Sequence, residues 1–204
     1  MGFVETFQLN GVHIETTVTS TQEDIDDILW TFLSPANGPK VIGFDMELTM
    51  YENKVSEKET GDRSECATLH LCNGHSCLII QLLYLDSIPT SLFNFLRLPD
   101  FTFVGVGINH NLVKLEKEYG ITCRNAVELG PLAATLMKMP RLSFCGVDEL
   151  AFAVNKHDLG NYRPLITLYK DWGQSNFGKE LAKLATINVY SYYMIGNTLL
   201  SADS

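Results

Sequence analysis

The stretch VIGFDMEL, residues 41–48, places two acids, Asp45 and Glu47, in an otherwise apolar run. Alternation along a β-strand puts both carboxylates on one face, with Phe44 and Met46 on the other. Two like charges side by side repel one another unless a cation lies between them or water surrounds them. The stretch therefore predicts either a metal-binding strand or an edge strand with a solvated acidic face.

Length and composition indicate one folded domain. The chain has 204 residues, of which 46% are hydrophobic and 19% are charged, values ordinary for a globular domain. No apolar run approaches the roughly 20 residues that span a bilayer, and the first ten residues lack the pattern of a signal peptide. Five cysteines without an export signal indicate reduced thiols in a cytoplasmic or nuclear protein.

The net charge is −9, which disfavours broad electrostatic contact with nucleic acid. The charge is unevenly distributed. Residues 1–103 hold 15 acids and 5 Lys or Arg, whereas residues 104–204 hold 9 acids and 10 Lys or Arg. A basic face built from the second half therefore remains open, although no Lys- or Arg-rich run marks it.

The pattern of elements predicts an α/β protein. Asn73-Gly74 joins two apolar runs and is a strong hairpin signal. Helical periodicity follows in residues 20–34, 109–120 and 177–200, and the polar run 49–65 predicts a surface loop. Hairpin strands followed by alternating strands and helices favour a mixed sheet.

Five motifs stand in a fixed order along the chain: IETTVTS (14–20), VIGFDMEL (41–48), the hairpin region (66–83), FTFVGVGINHNLVKLEKEYGI (101–121) and DWGQSNFGKELAKLATINVYSYYMI (171–195). In this order and spacing they resemble the Werner-type 3′–5′ exonuclease family, and in particular its small single-domain plant branch. The resemblance runs from Val12 to Leu200 and implies a ribonuclease-H-like (DnaQ-like exonuclease) fold. It implies one domain over residues 1–204, with a core of about 12–200 and a central mixed sheet of five to six strands flanked by helices.

The signature of that family is a set of four acids that hold two divalent metals, with a tyrosine four residues before the last acid. Asp45 and Glu47 match the first two acids. Asn111 and Asn188 stand where the family has aspartates, and Leu184 stands at the tyrosine position. The resemblance therefore implies a catalytic set of Asp45, Glu47, Asn111 and Asn188 that departs from the family at half of its acids.

These departures weaken the expected metal site. The ligand charge falls from −4 to −2, which balances one divalent ion. Each lost charge removes about 4 kcal/mol of attraction at 4 Å and an effective dielectric near 20. We therefore expect Asp45 and Glu47 to bind Mg²⁺ or Mn²⁺, with at most one ion. In the family, Trp is common directly after the Glu of the first motif, where this chain has Leu48. Deliberate replacement and natural divergence both give Asn for Asp, and the further departures at Leu48 and Leu184 favour divergence.

The function implied by the resemblance is 3′–5′ exonucleolytic hydrolysis of single-stranded nucleic acid, RNA or DNA, at a reduced rate. The alternative is a catalytically inactive exonuclease fold that serves as a nucleic-acid-binding or protein-assembly scaffold. Mg²⁺-dependent digestion of single strands separates the two hypotheses.

Lys114, Lys183 and Tyr192 are candidate nucleic-acid-binding residues. Lys183 stands where a sister branch of the superfamily has a catalytic histidine, but a solvent-facing lysine explains it equally. Tyr192 offers a ring that can stack on a base, although a helical stripe of this kind is more often core. Scattered surface charge is the simplest explanation of the remaining basic residues, among them Lys117, Arg141, Arg163 and Lys179.

Two further patterns concern partners and metals. The apolar run around Met137, Met139 and Phe144 suits a contact in a homo-oligomer, and the predicted assemblies include a hexameric ring. The run CNGHSC (72–77) contains zinc-ligand types, but a tight hairpin carrying apolar cysteines explains the same residues.

Overall fold

The computed structural model describes residues 2–34, 40–50, 64–163 and 171–201. Most of the surface loop expected over residues 49–65 lies outside the described residues. Seven strands form one sheet, in the order β1-β2-β5-β4-β3-β6-β7. The strands are β1 (Phe3–Leu9), β2 (Val12–Thr19), β3 (Lys40–Met50), β4 (Ser64–Cys72), β5 (Ser76–Gln81), β6 (Phe101–Gly105) and β7 (Ala126–Glu128).

The sheet is mixed. β1 pairs antiparallel with β2, as do β3 with β4 and β4 with β5, whereas β2 with β5, β3 with β6 and β6 with β7 are parallel. β3 lies between β4 and β6, although its pairing with β6 ends at Gly43. Because Asp45 is buried, the interpretation as an edge strand with a solvated acidic face is wrong for Asp45. The predicted ribonuclease-H-like α/β fold is confirmed, with one strand more than expected.

The additional strand is β1, at the edge of the sheet. It joins β2 through Asn10-Gly11, both of which have positive φ angles of 50° and 78°. That is the backbone of a two-residue hairpin turn with the hand that matches strand twist. The seven β1 residues alternate in burial, as expected of a strand with one face on the protein and one in water.

Helices cover both faces of the sheet. The first three pack on the face that presents Phe44, Leu71 and Phe103, and the last three pack on the face that presents Cys72 and Val104. Asp45 therefore points to the side of the last three helices. The helices are α1 (Gln22–Leu33), α2 (Thr90–Leu96), α3 (Ile108–Tyr119), α4 (Leu129–Leu136), α5 (Val147–Asn155) and α6 (Lys179–Ser201).

Local signals in the sequence set several boundaries. The Thr21 side chain accepts a hydrogen bond from the backbone N–H of Asp24 and caps α1. Gly120, with φ of 70°, ends α3 in the left-handed conformation. In the β4–β5 hairpin, Cys72 and Cys77 are buried and directly paired whereas His75 is exposed, so the predicted hairpin is confirmed.

Helix α6 lies close against the centre of the sheet. A Cβ atom at Gly43 would lie 2.2 Å from the Val189 carbonyl oxygen, and one at Gly196 would lie 2.6 Å from the Val104 side chain. These two glycines let α6 cross β3 and β6 at close range. The contact places the residues next to Val189, including Asn188, over the strand that carries Asp45. Within the described ranges, no helix has both the length and the apolar character that a bilayer crossing requires.

Candidate active site

Asp45 and Glu47 lie on the α6 face of β3, paired with β4 and just beyond the point where β3 stops pairing with β6. Asp45 is only 6% exposed, and its Oδ1 accepts a hydrogen bond of 2.9 Å from the Met46 backbone N–H. Burial raises the pKa of Asp45 well above the usual aspartate value, and the charge of Glu47 raises it further. Asp45, buried beside the half-buried Glu47, is stabilised either by a proton or by a cation.

His70 and Thr68 complete the floor of the site from β4. The strand register pairs Asp45 with His70 and Glu47 with Thr68. His70 Nε2 lies 2.8 Å from Thr68 Oγ1, a hydrogen bond, while its Nδ1 lies 3.9 Å from Asp45 Oδ2, beyond hydrogen-bonding range. Burial lowers the pKa of His70 to about 3, so the ring is neutral at pH 7 and forms no ion pair with Asp45.

Asn188 on α6 is hydrogen-bonded to Arg163. Its Oδ1 accepts a hydrogen bond of 3.4 Å from Arg163 Nη1. The same guanidinium donates to Asp148 Oδ1 from Nη2 at 2.6 Å and from Nε at 3.2 Å, so Asp148 fixes its orientation. Asn188, which the resemblance places at the position of a metal-binding acid, therefore contacts a positively charged side chain.

Tyr192 lies one helical turn after Asn188 and is 7% exposed. Burial raises its pKa well above the usual tyrosine value, the negative charges of Asp45 and Glu47 raise it further, and the charge of Arg163 lowers it. The phenol thus lies within electrostatic range of the two acids on β3 and of Arg163. Whether Tyr192 contacts nucleic acid stays a prediction.

Asn111 lies on the first turn of α3, which follows β6. The Glu128 carboxylate accepts hydrogen bonds of 2.9 Å from the backbone N–H groups of Gly107 and Asn109, and so caps the positive end of this helix. A Cβ atom at Gly105 would lie 2.5 Å from the Phe44 carbonyl oxygen. The end of β6 therefore lies against β3 beside Asp45, and α3 begins next to the site.

The other candidate residues have different surroundings. Leu184 is 4% exposed and belongs to an apolar cluster with Trp172 and Phe177. Lys183, its neighbour, is half-buried. Lys114 Nζ lies 3.2 Å from Glu118 Oε1, an ion pair within α3. The roles of Lys114, Lys183 and Leu184 at the site stay predictions.

The sequence did not reveal two of these neighbours, His70 and Asp148. His70 sits in an apolar hairpin strand and becomes a site residue only through the register of β4 on β3. Asp148 looks like an ordinary acid in the first turn of a helix, where acids are common. Each is recognised as a neighbour of the site only from contacts between distant segments of the chain.

The donor set fits one divalent ion and not two. Asp45 and Glu47 together balance one divalent charge, and Mg²⁺ is commonly held by one or two carboxylates while keeping several waters. Across the described part of the chain, no three His, Cys, Asp or Glu side chains are arranged to hold a metal. Near Asn188, the Arg163 guanidinium repels a second cation.

The raised pKa of Asp45 predicts pH-dependent metal binding. A divalent ion must displace the proton that Asp45 retains above the usual aspartate range. We expect the Mn²⁺ association constant to rise with pH by up to about tenfold per unit while Asp45 titrates, measured by isothermal titration calorimetry from pH 5 to 8. His70 stays neutral throughout this range because its pKa is lowered to about 3.

The Asp45→Asn variant is the matched control, because it keeps the shape of the side chain and has no proton to release. It should bind Mn²⁺ weakly at every pH. A wild-type affinity that is constant from pH 5 to 8 would mean that Asp45 is already ionised at pH 5 or is not a ligand.

Comparison with known proteins places the chain among 3′–5′ exonucleases by fold. No protein-family profile matches it. A curated relative, the RISC-interacting clearing 3′–5′ exoribonuclease 1 of Arabidopsis thaliana, is 25% identical over 183 residues, which cover 87% of this chain and 84% of the relative. This is a distant plant homologue.

Solved structures show the same fold at lower identity. The EXO domain of Aedes aegypti Nibbler superposes with a TM-score of 0.70 at 12% identity, covering 97% of this chain and 91% of that domain. Escherichia coli RNase D, an exoribonuclease involved in structured RNA processing, gives a TM-score of 0.69 at 16% identity over 90% of this chain. The match spans only 44% of RNase D. The chain therefore has the fold of the DEDD 3′–5′ exonucleases.

Proposed function

We propose that this chain is a weakened 3′–5′ exonuclease that acts on the 3′ end of single-stranded nucleic acid, RNA in the first place. The observation that supports it best is the pair of acids on β3, the buried Asp45 and the half-buried Glu47, in an exonuclease fold. The distant plant homologue is an exoribonuclease and aligns over most of both chains, which favours RNA over DNA.

In this proposal, Asp45 and Glu47 hold one Mg²⁺ or Mn²⁺, which when bound supplies positive charge to the phosphodiester oxygens. Asn111 and Asn188 offer amide groups that can hydrogen-bond to substrate but bring no charge. Lys114 and Lys183 supply further positive charge to the phosphate backbone.

Hydrolysis should be slow because the machinery is incomplete. A second divalent ion is worth several kcal/mol in stabilising the transition state, which corresponds to a factor of at least about 100 in rate. Leu184 presents no hydroxyl to orient an attacking water and is packed in the core instead. The neutral His70 also lies too far from Asp45, at 3.9 Å, to hold its carboxylate by a hydrogen bond.

A second candidate function is nucleic-acid binding or protein assembly without hydrolysis. The contact between Arg163 and Asn188 favours it, because a side chain already occupies the neighbourhood that a second ion needs. Assembly as a homo-oligomer, a hexameric ring included, stays a prediction. Phe144, which is 94% exposed, supplies an apolar contact for it. A cytoplasmic or nuclear location is likewise a prediction.

Digestion of a 5′-labelled single-stranded RNA, with Mn²⁺ and with EDTA, separates the two functions. We expect slow, Mn²⁺-dependent shortening from the 3′ end that the Asp45→Asn variant loses. Binding of the RNA without any shortening, in the wild type and in Asp45→Asn alike, would favour the non-catalytic function. Absence of both binding and shortening would contradict the exonuclease and the nucleic-acid-binding functions and would leave protein assembly.

A further inference from the structure

The position of Arg163 separates this chain from a two-metal nuclease. We propose that the Arg163 guanidinium takes the place of the second divalent ion beside Asn188 and is the cation that contacts the phosphate of a bound single strand. The proposal deepens the proposed function and rests on it, because it names the group that receives the substrate phosphate.

The geometry is that of a fixed cation. Asp148 accepts from two nitrogens of the guanidinium, Nη2 at 2.6 Å and Nε at 3.2 Å, while Asn188 accepts from Nη1 at 3.4 Å. Guanidinium has five N–H donors, and its contacts with described residues use three of them. The Arg163 side chain is 29% exposed, so part of it remains in contact with solvent.

An asparagine at position 188, in place of the aspartate expected from the resemblance, suits the neighbouring Arg163 guanidinium. An aspartate there would form an ion pair with Arg163 and be unavailable to a metal, whereas an asparagine accepts a hydrogen bond and leaves the positive charge uncompensated from that side. Asp148 neutralises part of the charge and is itself 61% exposed, in contact with water. Arginine also suits phosphate better than a point charge does, because its planar fork can donate two parallel hydrogen bonds to two oxygens.

The Arg163 guanidinium faces the same region of the site as Asp45 and Glu47. The charges of Asp45, Glu47 and Arg163 all act on the phenol of Tyr192, so the guanidinium and the two carboxylates face a common region. One divalent ion at Asp45 and Glu47, together with one guanidinium, gives the phosphate two positively charged groups in place of two metals.

The first test is binding of a short labelled oligoadenylate in EDTA, followed by fluorescence anisotropy. The Arg163→Gln variant should bind at least about tenfold more weakly than the wild type, the typical worth of a charge-assisted hydrogen bond. Its log–log salt dependence should be shallower by about 0.7, the value for one phosphate contact on a single strand.

Arg124→Gln is the matched control. Arg124 lies just before the start of β7, where its backbone N–H donates a hydrogen bond to the Leu96 carbonyl. This is the opposite end of the parallel strands from Asn111. The variant removes the same charge and should leave affinity and salt dependence unchanged. Arg163→Lys, which keeps the charge and loses the fork, should fall between wild type and Arg163→Gln. Thermal melting of each variant reports whether it has kept the fold.

The second test measures Mn²⁺ binding directly. Asn188→Asp alone should gain no additional Mn²⁺ ion, because Arg163 pairs with the new carboxylate. The double variant Asn188→Asp with Arg163→Gln should gain one. A second ion bound as tightly by Asn188→Asp alone as by the double variant would overturn the proposal.

The outcomes distinguish this proposal from the proposed function. If the wild type binds oligoadenylate and Arg163→Gln binds it equally well, Arg163 is not the phosphate contact while the proposed function stands. If the wild type binds oligoadenylate neither in EDTA nor with Mn²⁺, the proposed function and the phosphate contact both fail.

Discussion

The variant Asn111→Asp, Asn188→Asp, Arg163→Gln should digest single-stranded RNA at least about 100-fold faster than the wild type, because a restored second ion contributes several kcal/mol to transition-state stabilisation. It adds two carboxylates to Asp45 and Glu47, which gives four, and it removes the guanidinium that would otherwise pair with position 188. The measurement is the initial rate of 3′ shortening of a 5′-labelled RNA in saturating Mn²⁺.

The controls for this variant follow from the contacts of Arg163. Asn111→Asp with Asn188→Asp, in the presence of Arg163, should recover much less activity than the triple variant. Addition of Leu184→Tyr would supply the missing hydroxyl but enlarges a side chain that is 4% exposed, so its melting temperature must be compared first. A triple variant with the wild-type rate and the wild-type number of bound ions would show that the four positions do not form one site.

The second large effect concerns the packing of α6. We expect Gly43→Ala to lower the free energy of unfolding by on the order of 3 kcal/mol, the upper part of the range for overpacking. A Cβ atom there would lie 2.2 Å from the Val189 carbonyl oxygen and 3.0 Å from the Tyr193 backbone nitrogen. These neighbours are helix backbone, so relief requires α6 itself to move away from β3.

Such a movement would also carry Asn188 away from Asp45, since Asn188 is adjacent to Val189. Thermal melting should show a decrease of roughly 6 to 12 °C for this loss of stability. Gly146→Ala is the control, because its φ is −79° and no atom lies within 4 Å of the added Cβ. Because Gly146 is the N-cap residue of α5, the free energy of unfolding of this variant should change by no more than about 1 kcal/mol. Equal losses in both variants would contradict the close packing of α6 on β3.

Local signals accounted for much of the fold. The Asn73-Gly74 hairpin, the Thr21 cap of α1 and the Gly120 end of α3 each depend on a few neighbouring residues, and the structure has all three. The strand that carries Asp45 and Glu47 was also predictable, because alternation and two acids in an apolar run are visible within eight residues.

Long-range contacts were not predictable in this way. His70 faces Asp45 because of the β3–β4 register, and one residue of slip would move His70 to the other face of the sheet. Arg163 contacts Asn188 and Asp148, and the three residues come from three separate segments of the chain. From the sequence, Arg163 was one of several scattered basic residues, and only these contacts distinguish it from the others.

In the proposed function, the site corresponds to half of a two-metal centre, in which Asp45 and Glu47 hold one ion. Titration of the wild-type chain with Mn²⁺ at pH 7.5, followed by calorimetry and by electron paramagnetic resonance of the free ion, tests it most directly. The prediction is at most one bound ion per chain, lost in Asp45→Asn. Two ions per chain with similar affinity, both lost in Asp45→Asn, would contradict it.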